Sequence, residues 1–263
     1  MNKRVVYTAI FGDYDDLLEP DYVDSSIDYI CFTNNKSLKS SHWIVKYVDN
    51  FNGVTDNARL NRIYKFMPHR FLSDYDESLY IDGNIKIAGK NLSNAFDFAL
   101  KNKMISIPPH AERECIYEES LACLRLGKGE PDRIKKQMQF YKNEGFPEKY
   151  GLYENNIIFR KHGCEKIKTI MEEWLEMITK FSSRDQLSLC YLFWKSNIPC
   201  EAFLWGPKFS GKFFKIKFHN TEKKLPLLKK IILYLLINEK RNIFYSSLCS
   251  VLIFMIKIKK HFQ

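Results

Sequence analysis

Residues 78–85 read Ser-Leu-Tyr-Ile-Asp-Gly-Asn-Ile, an apolar run followed by a polar turn. The apolar run predicts a buried strand that ends at Asp82, and Gly83 with Asn84 is typical of a tight turn. A carboxylate at the end of a buried strand, followed by a second oxygen donor, suits a Mg²⁺ or Mn²⁺ ion that bridges a nucleoside diphosphate, because hard cations take oxygen ligands. The same three residues also form a common turn, so the segment alone leaves both interpretations open.

Strands and helices are predicted to alternate on both sides of this turn. Helices are expected at about 57–66, ending before Pro68, and at 91–102, 114–126, 131–144, 165–181 and 184–196. Strands are expected at 5–10, 28–33, 43–48, 78–82, 85–88, 104–107, 156–160, 202–205 and 214–218. The alternation predicts an α/β fold, with a mostly parallel, Rossmann-like sheet flanked by helices and ligands at the carboxyl ends of the strands.

The positive charge of the chain is concentrated at its C-terminal end. The net charge is +10 over 263 residues, yet residues 215–263 hold eleven Lys and Arg against two Glu, which leaves residues 1–214 nearly neutral. A nucleic-acid-binding domain spreads basic residues over a folded surface together with a recognition motif, and neither feature is visible here. Nucleic-acid binding is therefore the least favoured function.

Two apolar segments lie within the basic region, at 225–237 and 243–256. A membrane-spanning helix needs about 20 apolar residues, so both segments are too short to cross a bilayer comfortably. Amphipathic helices that lie in the membrane interface, with lysines near lipid phosphates, fit better. The alternative is that both helices pack on the main domain as ordinary core. We expect one domain at residues 1–220 and a basic, membrane-associating helical tail at residues 221–263.

Cysteine spacing and the N-terminal sequence bear on the compartment. The seven cysteines are odd in number and lack C-x-x-C or metal-finger spacing, which favours a reducing compartment. The first four residues lead into an apolar run of about six residues, too short for the apolar core of a signal peptide. We expect a cytoplasmic protein that binds the inner face of the cell membrane through its tail.

Several blocks of sequence, in order along residues 4–220, resemble a known family. The blocks are Tyr7–Leu17, Tyr29–Thr33, Ala58-Arg59 with Lys65 and Pro68-His69, Tyr80–Ile85, Pro109-His110 with Arg113 and Tyr117-Glu118, and Ser183–Ser188. They look like the glycosyltransferase-like domain family that also contains plant pectin- and mucilage-related proteins and bacterial surface-polysaccharide enzymes. The resemblance implies a GT-A fold, a sugar-nucleotide donor and a divalent metal ion.

The resemblance also implies roles in binding the donor. It places Thr8, Ala9, Phe11 and Asp15 around the nucleoside, with Thr33 at the end of the second strand. It places Arg59 and Lys65 beside the diphosphate. Side chains six residues apart are offset by about 240° around the helix axis, so Arg59 and Lys65 can both reach the diphosphate only if the helix is short or bent. The alternative for this pair is a solvated, salt-bridged helix face.

In the metal site that the resemblance implies, Asp82 binds the ion and Asn84 replaces the second Asp of the usual Asp-x-Asp motif. A neutral amide holds a dication less tightly than a carboxylate does, so this departure should weaken metal binding. His219, after the last predicted strand, stands where glycogenin-type enzymes, a more distant likeness, place a histidine ligand. The alternative is a surface histidine beside the basic tail.

Asp185 has two interpretations. Ser183 and Gln186 form a capping-box pattern, and an acid in the first turn of a helix is stabilised by the helix dipole. Asp-Gln at the start of a helix also resembles the pair that contacts the donor sugar in glycogenin-type enzymes.

Polar residues near two strands are candidates for the acceptor side of the site. His110, Arg113 and Glu118 follow the strand predicted at 104–107. Asn155 and Asn156 lie just before Ile157–Arg160 of the next predicted strand, loosely matching the place where GT-A enzymes position the acceptor or the transferred sugar. A general base must reach the acceptor hydroxyl. The candidates for that role are His110, Glu118 and Asp185.

Together these features predict a metal-dependent glycosyltransferase that transfers a hexose or related sugar from a nucleoside diphosphate to a glycan hydroxyl. The acceptor is expected to be a lipid-linked bacterial surface polysaccharide, such as O-antigen or capsule. A nucleotidyltransferase would share the fold and metal but usually carries a Gly-rich, Lys/Arg-containing loop after its first strand, whereas Phe11–Asp16 is acidic. A non-catalytic, membrane-bound scaffold of the same fold is supported only by the weakened Asp82-Gly83-Asn84 motif.

Overall fold

Strands and helices alternate along the computed structural model, which describes residues 2–199 and 201–261. The strands are β1 (Arg4–Ala9), β2 (Ile27–Thr33), β3 (Ile44–Tyr47), β4 (Glu77–Ile81), β5 (Ile85–Ile87), β6 (Ile105–Ile107), β7 (Ile157–Lys161), β8 (Glu201–Ala202) and β9 (Phe214–Ile216). The helices are α1 (Asn57–Phe66), α2 (Pro68–Phe71), α3 (Leu92–Leu100), α4 (Ile116–Arg125), α5 (Pro131–Asn143), α6 (Glu165–Lys180), α7 (Leu189–Lys195), α8 (Asn220–Lys223), α9 (Leu227–Asn238) and α10 (Ile243–His261).

Seven of the strands form one sheet in the order β3-β2-β1-β4-β7-β6-β8. Strands β3, β2, β1 and β4 are mutually parallel, β7 runs antiparallel to both β4 and β6, and β8 is parallel to β6. This arrangement confirms the predicted α/β fold with a mostly parallel sheet. The carboxyl ends of β1, β2 and β4 therefore meet at one edge, which is where ligands bind in folds of this type.

A hydrophobic core covers each face of the sheet. Successive residues of a strand point to opposite faces, so Val5 and Tyr7 join one core while Val6 joins the other. Helices α1, α4, α5, α6 and α7 pack on the first face and α3 packs on the second. Phe66 of α1 stacks on Trp174 of α6 with ring centroids 3.8 Å apart. Burial of a phenylalanine of this kind contributes about 1.5–3 kcal/mol, so this contact holds α1 firmly against α6.

Helix α1 has the bounds that the sequence predicted. Asp56 is its N-cap, and the Asp56 side chain accepts a hydrogen bond from the backbone N–H of Arg59 at 2.8 Å. The helix ends at Phe66, just before Pro68, because proline lacks the N–H that would continue the hydrogen-bond ladder. Leu60, Ile63 and Lys65 are buried, so the last turn of the helix faces the sheet.

Two sequence predictions are wrong in detail. The helix predicted at 184–196 is a 3-10 turn, Asp185–Leu187, followed by α7. The capping box does not form, because the Ser183 hydroxyl lies 3.4 Å from Glu130 Oε2 and no side chain caps the turn. The strand predicted at 214–218 is not part of the main sheet, since β9 pairs with β5 in a separate antiparallel ribbon.

The C-terminal region consists of helices, as expected from its two apolar segments. These segments correspond to α9 and α10, and the short helix α8 precedes them. The predicted domain division after residue 220 falls within α8. No helix in the described ranges has both the length and the apolar character needed to span a bilayer.

Candidate active site

A buried lysine joins two carboxylates at the carboxyl end of β4. Lys65, in the last turn of α1, donates hydrogen bonds from Nζ to Asp82 Oδ1 at 3.1 Å and to Asp185 Oδ2 at 2.9 Å. The Lys65 side chain is only 2% exposed. A buried ammonium is tolerated only when it is paired and hydrogen-bonded, so these contacts fix the positions of both carboxylates.

The backbone of Lys65 is held as firmly as its side chain. The Tyr7 hydroxyl donates a hydrogen bond to Lys65 O at 2.9 Å, and Arg160 Nη2 donates to the same oxygen at 2.8 Å. Arg160 Nη1 also donates to Phe66 O at 3.2 Å. The carbonyl groups of a last helical turn have no partners within the helix, and here a buried guanidinium from β7 supplies them. The end of α1 is therefore locked relative to β1 and β7.

Arg62 is a second cation at this site, and the sequence analysis missed it. Its Nη1 lies 3.3 Å from Asp185 Oδ2, and its side chain is 25% exposed, unlike that of Lys65. Burial alone would lower the pKa of Arg62, but the charges of Asp185 and Asp82 raise it. Arg62 lies three residues before Lys65, a spacing that puts both side chains on one face of a helix and that could have revealed it. Arg59, the predicted partner of Lys65, is exposed.

The charged form of Asp185 is stabilised by neighbouring cations. Burial alone would raise the pKa of Asp185, but the positive charges of Arg62, Lys65 and Arg184 outweigh it and hold the pKa well below its usual range. The indole N–H of Trp174 donates to Asp185 O at 3.1 Å and fixes the backbone. A group with so low a pKa is a poor acceptor of protons near neutral pH. The arrangement therefore suits electrostatic stabilisation or binding of a hydroxyl group better than general-base catalysis.

Asp82 presents one carboxylate oxygen to the outside of the network. The Tyr80 hydroxyl donates to Asp82 Oδ1 at 2.9 Å, so Tyr80 and Lys65 share the same oxygen. Burial and the neighbouring charge of Asp82 raise the pKa of Tyr80 well above its usual value, so this hydroxyl stays a donor. The Asp82 side chain is 31% exposed, and no described residue hydrogen-bonds Oδ2. Oδ2 is therefore available to a ligand.

The acidic loop Phe11–Asp16 packs against the Asp82-Gly83-Asn84 turn. A Cβ atom at Gly83 would lie 3.1 Å from Asp15 Cβ and 3.1 Å from Asp15 Oδ2, closer than side chains normally approach. Gly12 has φ +63°, a left-handed conformation that glycine adopts readily, and its N–H donates to Asn34 Oδ1 at 2.8 Å. Gly83 thus lets the loop approach the end of β4 closely, and Gly12 lets the loop itself turn.

His219 is tied to Asp15. Its Nδ1 lies 2.9 Å from both carboxylate oxygens of Asp15, and its ring centroid is 5.1 Å from that of Tyr14. Burial alone would lower the pKa of His219, but the hydrogen bond to Asp15 and its charge raise it. A carboxylate that fixes one imidazole nitrogen leaves the other, Nε2, for a further partner. In metal sites, a carboxylate commonly holds a histidine ligand in this way.

A cavity of about 410 Å³ opens beside this loop. Its lining is mostly polar and includes three aspartates: Asp13, Asp15, Asp16, Leu17, Asn35, Ser37, Leu38, Lys39 and Asn220. Its volume falls within the range of about 300–1,000 Å³ that small-molecule sites occupy. Asn220 comes from α8, so the C-terminal region completes the wall of the cavity.

The other residues expected around a nucleoside do not line this cavity. Ala9 O accepts a hydrogen bond from Asn61 Nδ2 at 2.7 Å, and Thr33 Oγ1 accepts one from the N–H of Asn35 at 3.0 Å. Phe11 packs in the core against Tyr64, with ring centroids 5.7 Å apart. The buried Thr8 hydroxyl has no hydrogen-bond partner in the described part of the chain. Of the predicted nucleoside-binding residues, Asp15 alone lines the cavity.

The residues expected to hold a metal ion fit it only in part. Asn84 Nδ2 donates to Lys217 O at 3.3 Å, which leaves the amide oxygen of Asn84 free to bind. Across the described ranges, no group of three or more His, Cys, Asp and Glu side chains is arranged to hold a metal. Mg²⁺ is commonly held by one or two carboxylates together with substrate phosphates. Asp82 and Asn84 therefore fit a cation that a diphosphate helps to bind.

A second polar cluster lies at the carboxyl end of β6. His110 Nδ1 accepts hydrogen bonds from the backbone N–H groups of Glu112 and Arg113 at 3.2 and 3.1 Å, which places the ring proton on Nε2. Burial lowers the pKa of His110. Arg113 Nε donates to Glu119 Oε2 at 2.6 Å. Glu118 is exposed, whereas Glu119 lies on the buried face of α4 with Ile116. The helical spacing of that face could have identified Glu119.

The segment before β7 lies between the two clusters. The backbone N–H of Asp82 donates to Asn156 O at 2.9 Å, so Asn156 adjoins the main site. Asn155 is buried, and neither polar atom of its amide has a hydrogen-bond partner among the residues that the structure describes. Glu154 forms an ion pair with Lys208 at 2.6 Å. The structure thus brings Lys65, Asp82 and Asp185 into direct contact, whereas His110 and Arg113 belong to a separate cluster.

Residues 1–214 match the model of the family described as TOD1/MUCI70, glycosyltransferase-like domain. The chain is 26% identical over 211 residues to the probable hexosyltransferase MUCI70 of Arabidopsis thaliana, an alignment that covers 70% of this chain and 36% of that protein. The chain thus spans about a third of the length of this curated relative.

Three solved structures are similar at low identity. The apo structure of the bifunctional glycosyltransferase WbbM has a TM-score of 0.43 and 12% identity, covering 77% of this chain and 38% of that one. The galactosyltransferase LgtC, in complex with donor and acceptor sugar analogs, has a TM-score of 0.41 and 13% identity, with coverage of 70% and 69%. Apo mouse xyloside xylosyltransferase 1 has a TM-score of 0.40 and 10% identity, with coverage of 73% and 80%.

Proposed function

This chain belongs to the TOD1/MUCI70 glycosyltransferase-like domain family, and from that premise we propose that it transfers a sugar, such as a hexose, from a nucleoside diphosphate to a glycan hydroxyl. One observation carries the proposal. Lys65 joins Asp82 to Asp185 at the carboxyl end of β4, and the partly exposed Arg62 stands beside them. A fixed set of charges at a strand end suits a reaction in which a diphosphate leaves.

Arg62 is the cation best placed to bind the donor diphosphate. Lys65 is buried and already shared between two carboxylates, whereas a quarter of the Arg62 side chain is exposed and its guanidinium can donate further hydrogen bonds. A Mg²⁺ or Mn²⁺ ion bound by Asp82 and Asn84, with His219 as a further ligand, would neutralise charge on the departing diphosphate. Lys65 then acts by holding Asp82 and Asp185 in place.

The cavity beside the acidic loop is the proposed nucleoside site. Carboxylates such as those of Asp13 and Asp16 accept hydrogen bonds from ribose hydroxyls, the role that acidic residues play in other nucleotide-binding folds. The transferred sugar then lies towards Asp185, whose Oδ2 is occupied by Lys65 and Arg62 and whose Oδ1 can accept a sugar hydroxyl.

The proposed acceptor is a growing bacterial surface polysaccharide on a lipid carrier. Its support is the sequence resemblance and the basic helical tail. The competing function is a non-catalytic scaffold of the same fold, which the neutral Asn84 in place of a second carboxylate favours. The two functions differ in turnover, because a scaffold would bind nucleotide without cleaving it.

Turnover of a panel of sugar nucleotides, with and without Mn²⁺, tests the proposal. The intact protein should hydrolyse at least one member slowly and transfer its sugar faster when acceptor is present. Asp82→Asn should lower turnover about a hundredfold, the scale seen when one transition-state electrostatic contact is removed. Asp74→Asn, at an exposed carboxylate just before β4, is the matched control and should leave turnover unchanged.

Nucleotide binding without cleavage of any panel member would favour the scaffold. Equal turnover by the Asp82→Asn and Asp74→Asn variants would contradict the assignment of the site.

A further inference from the structure

Helices α9 and α10 pack against each other as a hairpin. The hydroxyls of Tyr234 and Tyr245 are 3.3 Å apart across it, and Asn238 Nδ2 donates to Tyr234 O at 2.7 Å near its turn. Asn238 and Cys249 are the buried members of the hairpin among the side chains that the structure describes. The hairpin therefore buries little of its own apolar surface.

Large apolar side chains cover the outside of the hairpin. Leu227 is 73% exposed and Ile243 is 85% exposed, and Leu228, Phe244 and Met255 are exposed to a similar degree. Contiguous exposed apolar surface on a folded protein marks a site of interaction. The described side chains of this surface are exposed, unlike those expected if both helices were ordinary core of the main domain.

Basic side chains are interleaved with the apolar ones. Lys224, Lys229, Lys230 and Lys240 form no ion pair within the described part of the chain. Residues 215–263 together carry eleven Lys and Arg against two Glu. A partner for the hairpin must therefore accept apolar side chains and positive charge over the same area.

The hairpin and the short helix α8 that leads into it both contact the main domain. Lys223 of α8 forms an ion pair with Asp16 at 2.6 Å, beside the proposed nucleoside site. Arg241, between α9 and α10, donates from Nε to Pro207 O at 2.9 Å. A partner that binds the hairpin is thus held close to the acidic loop.

We propose that the α9–α10 hairpin docks on an anionic membrane surface, with its apolar side chains in the interface and its lysines at the lipid phosphates. A second copy of the chain is disfavoured as the occupant, because two hairpins of the same strong positive charge repel each other. A lipid surface supplies what the hairpin lacks, an apolar layer beneath negative charges. The proposal concerns the hairpin alone and is independent of the donor chemistry.

Sedimentation of the full-length chain with vesicles tests this proposal. The protein should bind vesicles of equal parts phosphatidylcholine and phosphatidylglycerol, bind phosphatidylcholine alone weakly, and be partly released when salt rises from about 0.1 M to about 1 M. Lys229→Gln with Lys230→Gln should lower partitioning about tenfold to thirtyfold, since each basic residue contributes on a scale of roughly fivefold. Lys135→Gln with Lys136→Gln, an exposed pair on α5, is the matched control and should have no such effect.

A second pair of variants separates apolar contact from charge. Leu227→Ser with Leu228→Ser should reduce vesicle binding without changing the net charge. Leu121→Ser with Leu126→Ser, two exposed leucines at α4, should leave vesicle binding intact. The proposal is overturned if the full-length chain ignores anionic vesicles at low salt, or if both lysine pairs contribute equally. It is also overturned if sedimentation velocity shows a stable oligomer that only Leu227→Ser with Leu228→Ser dissociates.

Discussion

At the scale of single residues, the site depends on the balance of charge around Asp185. Its carboxylate is buried against Lys65 and Arg62, and Lys65 has Asp82 as its other partner. Removal of one member from a buried ion-paired network leaves the other members uncompensated, and such changes cost about 3–5 kcal/mol. Asp185 therefore contributes to the stability of the fold as well as to the proposed chemistry.

We predict that Asp185→Asn destabilises the protein by about 3 kcal/mol, because Asp82 compensates Lys65 only in part. Denaturant unfolding measures this loss, and turnover of the donor identified by the panel should fall about a hundredfold. Asp132→Asn, an exposed carboxylate in the first turn of α5, is the matched control.

The stability that Asp185→Asn loses should depend on pH in a defined direction. The folded pKa of Asp185 is depressed, so its contribution is complete above the unfolded pKa of about 3.9 and is lost as pH falls towards the folded pKa. The difference in unfolding free energy between the wild type and Asp185→Asn should thus be constant from neutral pH to about pH 4 and shrink below it. A loss of stability no larger than that of Asp132→Asn would contradict the network.

Residue-scale prediction from sequence succeeded where a local pattern marks the residue. Asp82 ends an apolar run, and the sequence placed it at a strand end. Lys65 came from the resemblance, whereas Arg62 was missed although helical spacing relates it to Lys65. The ion pairs of Asp185 could not be predicted from the local sequence. The residues around it show only a helix-capping pattern, whereas its partners Arg62 and Lys65 lie in α1, far away in the chain.

At the scale of elements, the Asp82-Gly83-Asn84 turn and the acidic loop must fit closely. Gly83 needs no left-handed conformation, so its role is to leave space for Asp15. Asp15 in turn holds His219. The packing of one turn therefore links β4, the acidic loop and the segment that leads into α8.

We predict that Gly83→Ala displaces Asp15 by a few tenths of an ångström and costs about 1 kcal/mol or more through overpacking. Because the His219 pKa is raised by Asp15, a displaced carboxylate should let the pKa of His219 return towards its ordinary value. An NMR titration of the histidine ring measures that change. Gly163→Ala is the control, since a Cβ there meets nothing within 4 Å. A His219 pKa that is the same in both variants would show that Gly83 does not position Asp15.

The sequence predicted the strands of the parallel half of the sheet correctly, but it did not predict how the shorter strands outside that half pair. The runs that form β1, β2 and β4 are long and apolar, because these strands are buried on both faces. Strand β9 has only three residues, and nothing in so short a run shows that its partner is β5 and not the main sheet. Pairing between distant short strands is decided by tertiary packing.

At the scale of the whole molecule, the proposed donor site is assembled from four distant parts of the chain. The acidic loop and β4 supply Asp15 and Asp82, the 3-10 turn supplies Asp185, and the segment after β9 supplies His219 and Asn220. The family match ends at residue 214, so these last two side chains lie beyond it. The uneven charge of the chain was readable from sequence, but the contact between the acidic loop and α8 was not, because it depends on the folded path of the chain.

A crystal structure of the full-length protein with Mn²⁺ and the sugar nucleotide that the panel selects is the most direct test of the proposed donor site. We predict that the nucleoside occupies the cavity beside Asp15, with the diphosphate within hydrogen-bond distance of Arg62 and next to Asp82 Oδ2. A ligand bound elsewhere, or a diphosphate that contacts neither Arg62 nor Asp82, would contradict the account.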